Sequence, residues 1–102
     1  MKIDIQYGKH TLNIFLSGEL DECTAEYARK QMDDAISQPG ITNVIFDLSN
    51  LTFMDSTGIG VLIGRYKRLK ARNIAIFVKN PSSSIDKIFN MAGLYEIMPK
   101  VK

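Results

Sequence analysis

Residue types that could do chemistry fall together in one short segment, Asp55-Ser56-Thr57-Gly58-Ile59-Gly60, which holds a carboxylate, two hydroxyls and two glycines. A nucleophilic serine needs a base to take its proton, and the only histidine, His10, lies in a predicted hairpin near the N-terminus. The surrounding residues are Asp-Ser-Thr-Gly, not the G-x-S-x-G elbow of a hydrolase. Gly58-Ile59-Gly60 lacks the further glycine and the basic residues of a phosphate-binding loop. An aspartyl-phosphate switch built on Asp47 and Lys79 would want an acidic pair after the first strand, and Ile5-Gln6-Tyr7 supplies none. A hydroxyl in this segment is also well placed for phosphorylation if it stands at a helix start. Ile59, Leu62, Ile63, Tyr66 and Leu69 recur at helical spacing, so Asp55 and Ser56 stand at a helix start. There a short side-chain oxygen can accept from unpaired N–H groups, and the helix dipole favours a dianion on the hydroxyl.

Glycines make that helix unusual. Gly58, Gly60 and Gly64 each cost about 1 kcal/mol relative to alanine in a helix interior, against a net stability of about 5–15 kcal/mol for a small domain. Bare backbone is therefore expected to be needed there. Ser56, Gly60 and Gly64 share one stripe at i, i+4, i+8. Two uses remain open: close packing on a neighbouring element of the same chain, or a smooth surface for another protein's backbone.

The elements that position this segment follow from periodicity. Ile3, Ile5 and Tyr7 alternate with polar residues, Gly8-Lys9 is a tight turn, and Leu12, Ile14 and Leu16 alternate again, predicting a half-buried β-hairpin. His10 reads as an exposed hairpin residue. Ser17-Gly18-Glu19-Leu20 leaves the strand, and Asp21 caps a helix to about Gln38, with Cys23 in its first turn. Ala25, Ala28, Met32, Ala35 and Ile36 form its buried stripe, with Glu26, Arg29, Lys30, Asp33 and Asp34 facing water. Val44-Ile45-Phe46 is a buried strand, followed by a polar stretch from Asp47 and a second apolar burst, Leu51–Met54. After the glycine-bearing helix, Asn73 is a stop, Ile74–Val78 a strand, and Ser83 with Asp86 an approximate capping box. Ile85, Ile88, Phe89 and Ala92 give a short helix ended by Gly93, and Tyr95–Met98 a last edge strand. Alternating strands and helices imply right-handed crossovers and a mixed, mostly parallel sheet in an α/β fold.

Composition removes several classes of function. At 102 residues the chain is long enough for one hydrophobic core and too short for two. A net charge of +2 without long blocks of one sign does not call for nucleic acid. The basic run Arg65, Lys67, Arg68, Lys70 and Arg72 reads either as a solvated helix face or as a patch for an acidic partner. No apolar run approaches membrane-spanning length, and Met1-Lys2-Ile3-Asp4 lacks a signal-peptide core. A single cysteine, Cys23, makes neither an internal disulfide nor a zinc site. These features point to the cytosol, with no metal and no cofactor.

Three segments carry a resemblance: Leu16-Ser17-Gly18-Glu19-Leu20-Asp21, Phe53–Lys67, and Phe89-Asn90-Met91-Ala92-Gly93-Leu94. In this order they resemble the anti-sigma factor antagonists of the STAS-domain family, especially the sporulation stage II type, over nearly the whole chain. The resemblance implies one STAS domain over residues 1–102, a mixed sheet with helices mainly on one face, and a binding protein rather than an enzyme. It also implies that the unphosphorylated form binds an anti-sigma factor that is a serine kinase, that phosphorylation at Ser56 switches it off, and that a PP2C-type serine phosphatase resets it. The partner surface would comprise Asp21, Asp55, Ser56, Thr57, Gly58 and Gly60, with Asp21 in a loop beside the phosphoacceptor. A general-stress antagonist, or another STAS phosphoswitch outside sporulation, is the alternative within the family. Two departures stand out: Thr57, where sporulation relatives often have serine, and the chain's stop at Lys102, where many relatives carry a further helix that here is either naturally absent or trimmed.

Overall fold

Side-chain alternation along the strands decides which face of the sheet is covered. A computed structural model describes all residues, 1–102. It orders the chain as β1 (Lys2–Tyr7), β2 (Thr11–Leu20), α1 (Ala25–Ile36), β3 (Asn43–Met54), α2 (Ser56–Lys70), β4 (Ala75–Lys79), α3 (Ser83–Met91), a 3₁₀ turn (Leu94–Glu96) and β5 (Lys100–Val101). The sheet runs β1-β2-β3-β4-β5, antiparallel in the hairpin and parallel thereafter. Leu12 registers with Val44 and Ile76, and Ile14 with Phe46 and Val78. All six are buried in one 24-residue core, which also takes Ala28 and Met32 of α1, Leu62 and Leu69 of α2, and Ile85 and Phe89 of α3. The opposite row, Asn13, Ile45 and Phe77, is only half-buried. The helices therefore cover one face, as the family resemblance implies.

Several boundaries differ from the sequence expectation, each for a local reason. β2 does not end at Leu16: it pairs with β3 through Leu20, with register irregularities between Phe15 and Ser17 and between Gly18 and Glu19. Gly18 takes φ +97°, a conformation that side chains resist, which is how the strand absorbs the bend. β3 likewise continues through the polar stretch to Met54. Asp47 Oδ1 accepts from the Ser49 N–H at 3.0 Å and the Ser49 hydroxyl at 2.7 Å, and burial spacing shifts to Leu48, Leu51 and Met54. β1 is less covered than predicted, with Tyr7 49% exposed, because it is the sheet's edge. The Tyr7 hydroxyl nevertheless donates to Ala35 O at 2.9 Å, tying the hairpin to α1.

α1 starts at Ala25 and ends at Ile36, shorter than predicted. Asp21 does not cap it. Its Oδ1 accepts from the Cys23 and Thr24 N–H groups at 2.9 and 3.1 Å, while Thr24 Oγ1 accepts the Asp21 N–H at 3.0 Å, making a self-closed turn that holds Cys23 ahead of the helix. The five predicted buried residues of α1 are all buried, but Asp33 does not simply face water. It lies 3.0 Å from Arg65 and 2.9 Å from Arg68 of α2. On α2 the buried phase is Gly58, Val61, Leu62, Arg65 and Leu69, with Ile59, Ile63 and Tyr66 on its flank. The cap of α3 is Ser82, which accepts from the Ile85 N–H at 3.3 Å, one residue earlier than predicted. Asp86 is thereby free to accept from the Tyr95 hydroxyl and from Lys100 Nζ at 3.0 Å. That clasp holds Leu94–Glu96 as a 3₁₀ turn, so the last strand is Lys100–Val101 and not Tyr95–Met98.

Candidate functional site

The parallel strands β2, β3 and β4 lead into the amino ends of α1, α2 and α3, so these helix starts gather at one edge of the sheet. Ligands and partners of open α/β sheets approach from that edge. Asp55 is the N-cap of α2, with φ −104° and ψ −172°, and its Oδ1 accepts the Gly58 N–H at 2.9 Å. Its second oxygen accepts the Glu22 N–H at 3.2 Å, joining the β2–α1 turn to the first turn of α2. Ser56, the first residue of α2, is exposed, and Thr57 beside it is half-buried. A phosphate on Ser56 would meet the helix's unpaired N–H groups and the positive end of its dipole.

The three glycines separate into two kinds. A β-carbon at Gly58 would stand 2.2 Å from the Leu20 carbonyl oxygen and 2.8 Å from Met54 Cγ. Gly58 is therefore buried, and only glycine lets α2 seat against the end of β2. Of the residues expected to meet a partner directly, Gly58 is the one the fold covers. Gly60 and Gly64 have nothing within 4 Å of such a β-carbon, so packing inside the chain explains neither. The close-packing reading of Gly64 does not hold. Phe53, at the end of β3, adds an apolar ring 47% exposed two residues before Asp55.

Asp21 sits in the self-closed turn that Glu22 ties to Asp55, so Asp21, Asp55 and Ser56 are brought to one place. His10 is not. Its carbonyl accepts from Thr42 and Asn43 at the start of β3, and its ring lies 3.1 Å from Gly40 O, the full length of β3 from Ser56. The catalytic pairing that a hydrolase needs is absent. Asp47 and Lys79 are register neighbours on β3 and β4, but Asp47 is occupied with Ser49 and with Asn80 at 3.4 Å.

The basic run from Arg65 to Arg72 is partly engaged within the molecule. Arg65 is 6% exposed, and burial holds its pKa below the usual guanidinium range, against the pull of Asp33 and with Arg68 and Arg29 adding to the lowering. Its Nε meets Asp33 Oδ1 at ion-pair distance, while Nη1 finds no acceptor. Arg72 donates to Ile36 O and to Gln38 O, at 3.3 Å in the second case, capping the carboxyl end of α1. Lys70 donates to the Tyr66 hydroxyl at 3.1 Å. Arg65 and Arg68 share the one carboxylate of Asp33, while Lys67, Lys70 and Arg72 are exposed and keep their charges, as both a solvated face and a patch for an acidic partner require. The Glu22–Asp55 link and the Asp33–Arg65 pair both escaped the sequence reading. Only the second left a trace: Arg65 shares the helical phase of Leu62 and Leu69, and a charge in an apolar stripe signals a buried partner.

The sequence pattern of the STAS domain matches residues 2–102. The anti-sigma F factor antagonist of Paenibacillus polymyxa is 36% identical over 99 residues, 97% of this chain and 85% of that protein. The solved structure of the anti-sigma factor antagonist SpoIIAA in its unphosphorylated form superposes with a TM-score of 0.82 at 32% identity, covering 99% of this chain and 89% of that one. SpoIIAA of Bacillus in its phosphorylated form gives 0.75 at the same identity, covering 99% and 92%. The chain belongs to the STAS-domain family, within its branch of anti-sigma factor antagonists. No helix is long and apolar enough to cross a membrane.

Proposed function

We propose that the unphosphorylated chain binds an anti-sigma factor that is also a serine kinase, and so frees a sigma factor in the cytoplasm of a spore-forming bacterium. The kinase phosphorylates Ser56, the complex separates, and a PP2C-type serine phosphatase restores the binding form. The chain acts by binding, without cofactor, metal or nucleic acid of its own. The observation that carries this reading is the exposed Ser56 at the Asp55-capped start of α2, in a chain similar to a protein solved both with and without phosphate. Asp21, Asp55, Ser56, Thr57 and Gly60 form the partner face, with Gly58 supporting it from beneath.

The switch works because one charge is judged by two environments. Phosphate adds about −1.5 to −2 charges and three acceptor oxygens. Inside the chain the helix start stabilises them, so the fold stays the same. Across the interface they meet a surface shaped for close contact beside Asp55 and Asp21, and every 1.4 kcal/mol lost there lowers affinity about tenfold. Incubating Ser56→Ala with the anti-sigma F factor of P. polymyxa and labelled ATP tests the assignment. The variant should bind and take up no label; undiminished labelling would move the acceptor, with Thr57 the first place to look.

A further inference from the structure

A carboxylate can accept more hydrogen bonds than a helix cap requires, and Asp55 uses the surplus. Oδ1 caps α2 through the Gly58 N–H, while Oδ2 reaches the Glu22 N–H at 3.2 Å, across a sequence separation of 33. We propose that Asp55 is a positioning residue for partner recognition: by holding Glu22 it sets where the Asp21 carboxylate stands relative to Ser56. This rests on the partner face proposed above and assigns Asp55 a role beyond that of cap or direct contact.

The geometry favours this because the turn's hydrogen bonds close on themselves. Asp21 and Thr24 bond to each other's backbone, and Thr24 Oγ1 also donates to Glu19 O at 2.8 Å. A turn so closed on itself keeps its shape, and what remains to be fixed is its position. At its base the Leu20 carbonyl lies against Gly58 and accepts the Asp55 N–H at a long 3.4 Å. Beyond that base Glu22 and Cys23 are exposed, and the Asp55 oxygen is the attachment that reaches Glu22 from α2. Asp21 uses Oδ1 within the turn, so its other oxygen is the one a cation on the partner would meet.

Two variants separate position from charge. Asp55→Ser keeps a good helix cap but is too short to reach Glu22. Asp21→Asn keeps the Oδ1 acceptor that closes the turn and removes only the charge. In amide hydrogen exchange, Asp55→Ser should speed Glu22 about tenfold and leave Gly58 within about twofold of the native rate. For binding to the purified anti-sigma F factor of P. polymyxa, Asp21→Asn should weaken the native chain about fivefold and the Asp55→Ser chain less than about twofold. Equal losses in both backgrounds, or an unchanged Glu22 exchange rate, would overturn the positioning role while leaving the partner reading intact. A native chain that does not bind at all would sink the partner reading and this inference with it.

Discussion

Gly58 and Gly60 stand two residues apart in one helix and answer to different constraints. At Gly58 an added β-carbon meets a backbone carbonyl that cannot turn aside, so Gly58→Ala should destabilise the fold by about 1–3 kcal/mol. At Gly60 the same atom meets nothing, and the lost chain entropy of the unfolded state should make Gly60→Ala more stable by about 0.4–1 kcal/mol. Urea denaturation of the two variants reads both signs. If the bare stripe serves a partner, the stabilised Gly60→Ala chain should bind the anti-sigma factor more weakly; a stabilised variant with native affinity would remove Gly60 from the interface. The sequence showed that bare backbone was needed in α2, but not which glycine served the fold. That distinction depends on Leu20, which is remote in sequence and meets Gly58 only once β2 and α2 are assembled.

Elements are joined by charges in two places. Between α1 and α2, Asp33 pairs with Arg65 and Arg68. Removing the carboxylate leaves a guanidinium buried without its counter-charge, so Asp33→Ala should cost about 2–4 kcal/mol, somewhat below a fully buried pair because Asp33 is partly solvated. Arg65→Met, which removes the buried charge and keeps apolar volume, should be near neutral. Thermal melts of the two variants that showed equal losses would mean that packing, not charge, joins the helices. Around the 3₁₀ turn, Asp86 holds Tyr95 and Lys100. The Tyr95 hydroxyl, then Lys100, holds the Asp86 carboxyl below its usual pKa. A depressed carboxylate pKa contributes stability above the unfolded value of about 3.9 and loses it as pH falls through the folded value. The amides of Lys100 and Val101 should therefore lose protection below about pH 4, and Asp86→Asn should exchange at those amides like the acid form already at neutral pH. Unaltered protection in that variant would show β5 held by its backbone pairing alone. The helix-forming pattern of α3 was legible from Ile85, Ile88 and Phe89, whereas the clasp was not. Ser82 displaced Ser83 as cap, and that one-residue shift released Asp86 for Tyr95.

For the whole molecule, one layer of helices on one sheet brings the amino ends of α1, α2 and α3 to a common edge, where the proposed partner face lies. The sheet's mostly parallel character was readable because strands and helices follow one another in turn after the hairpin, and a helix between two strands makes the crossover that parallel pairing needs. The irregular ends of β2 and β3 were not readable, since polar residues at a bulge look like a loop until the neighbouring strand supplies the pairing. The proposed switch needs a phosphate on Ser56 that abolishes binding without altering the fold. Its most direct test measures affinity for the anti-sigma F factor before and after stoichiometric phosphorylation, with the acceptor assigned by peptide mass. The switch predicts phosphate on Ser56, an affinity at least about a hundredfold lower, corresponding to roughly 2.7 kcal/mol, and an unchanged amide spectrum away from the first turn of α2. Phosphate on Ser56 with affinity retained would contradict it.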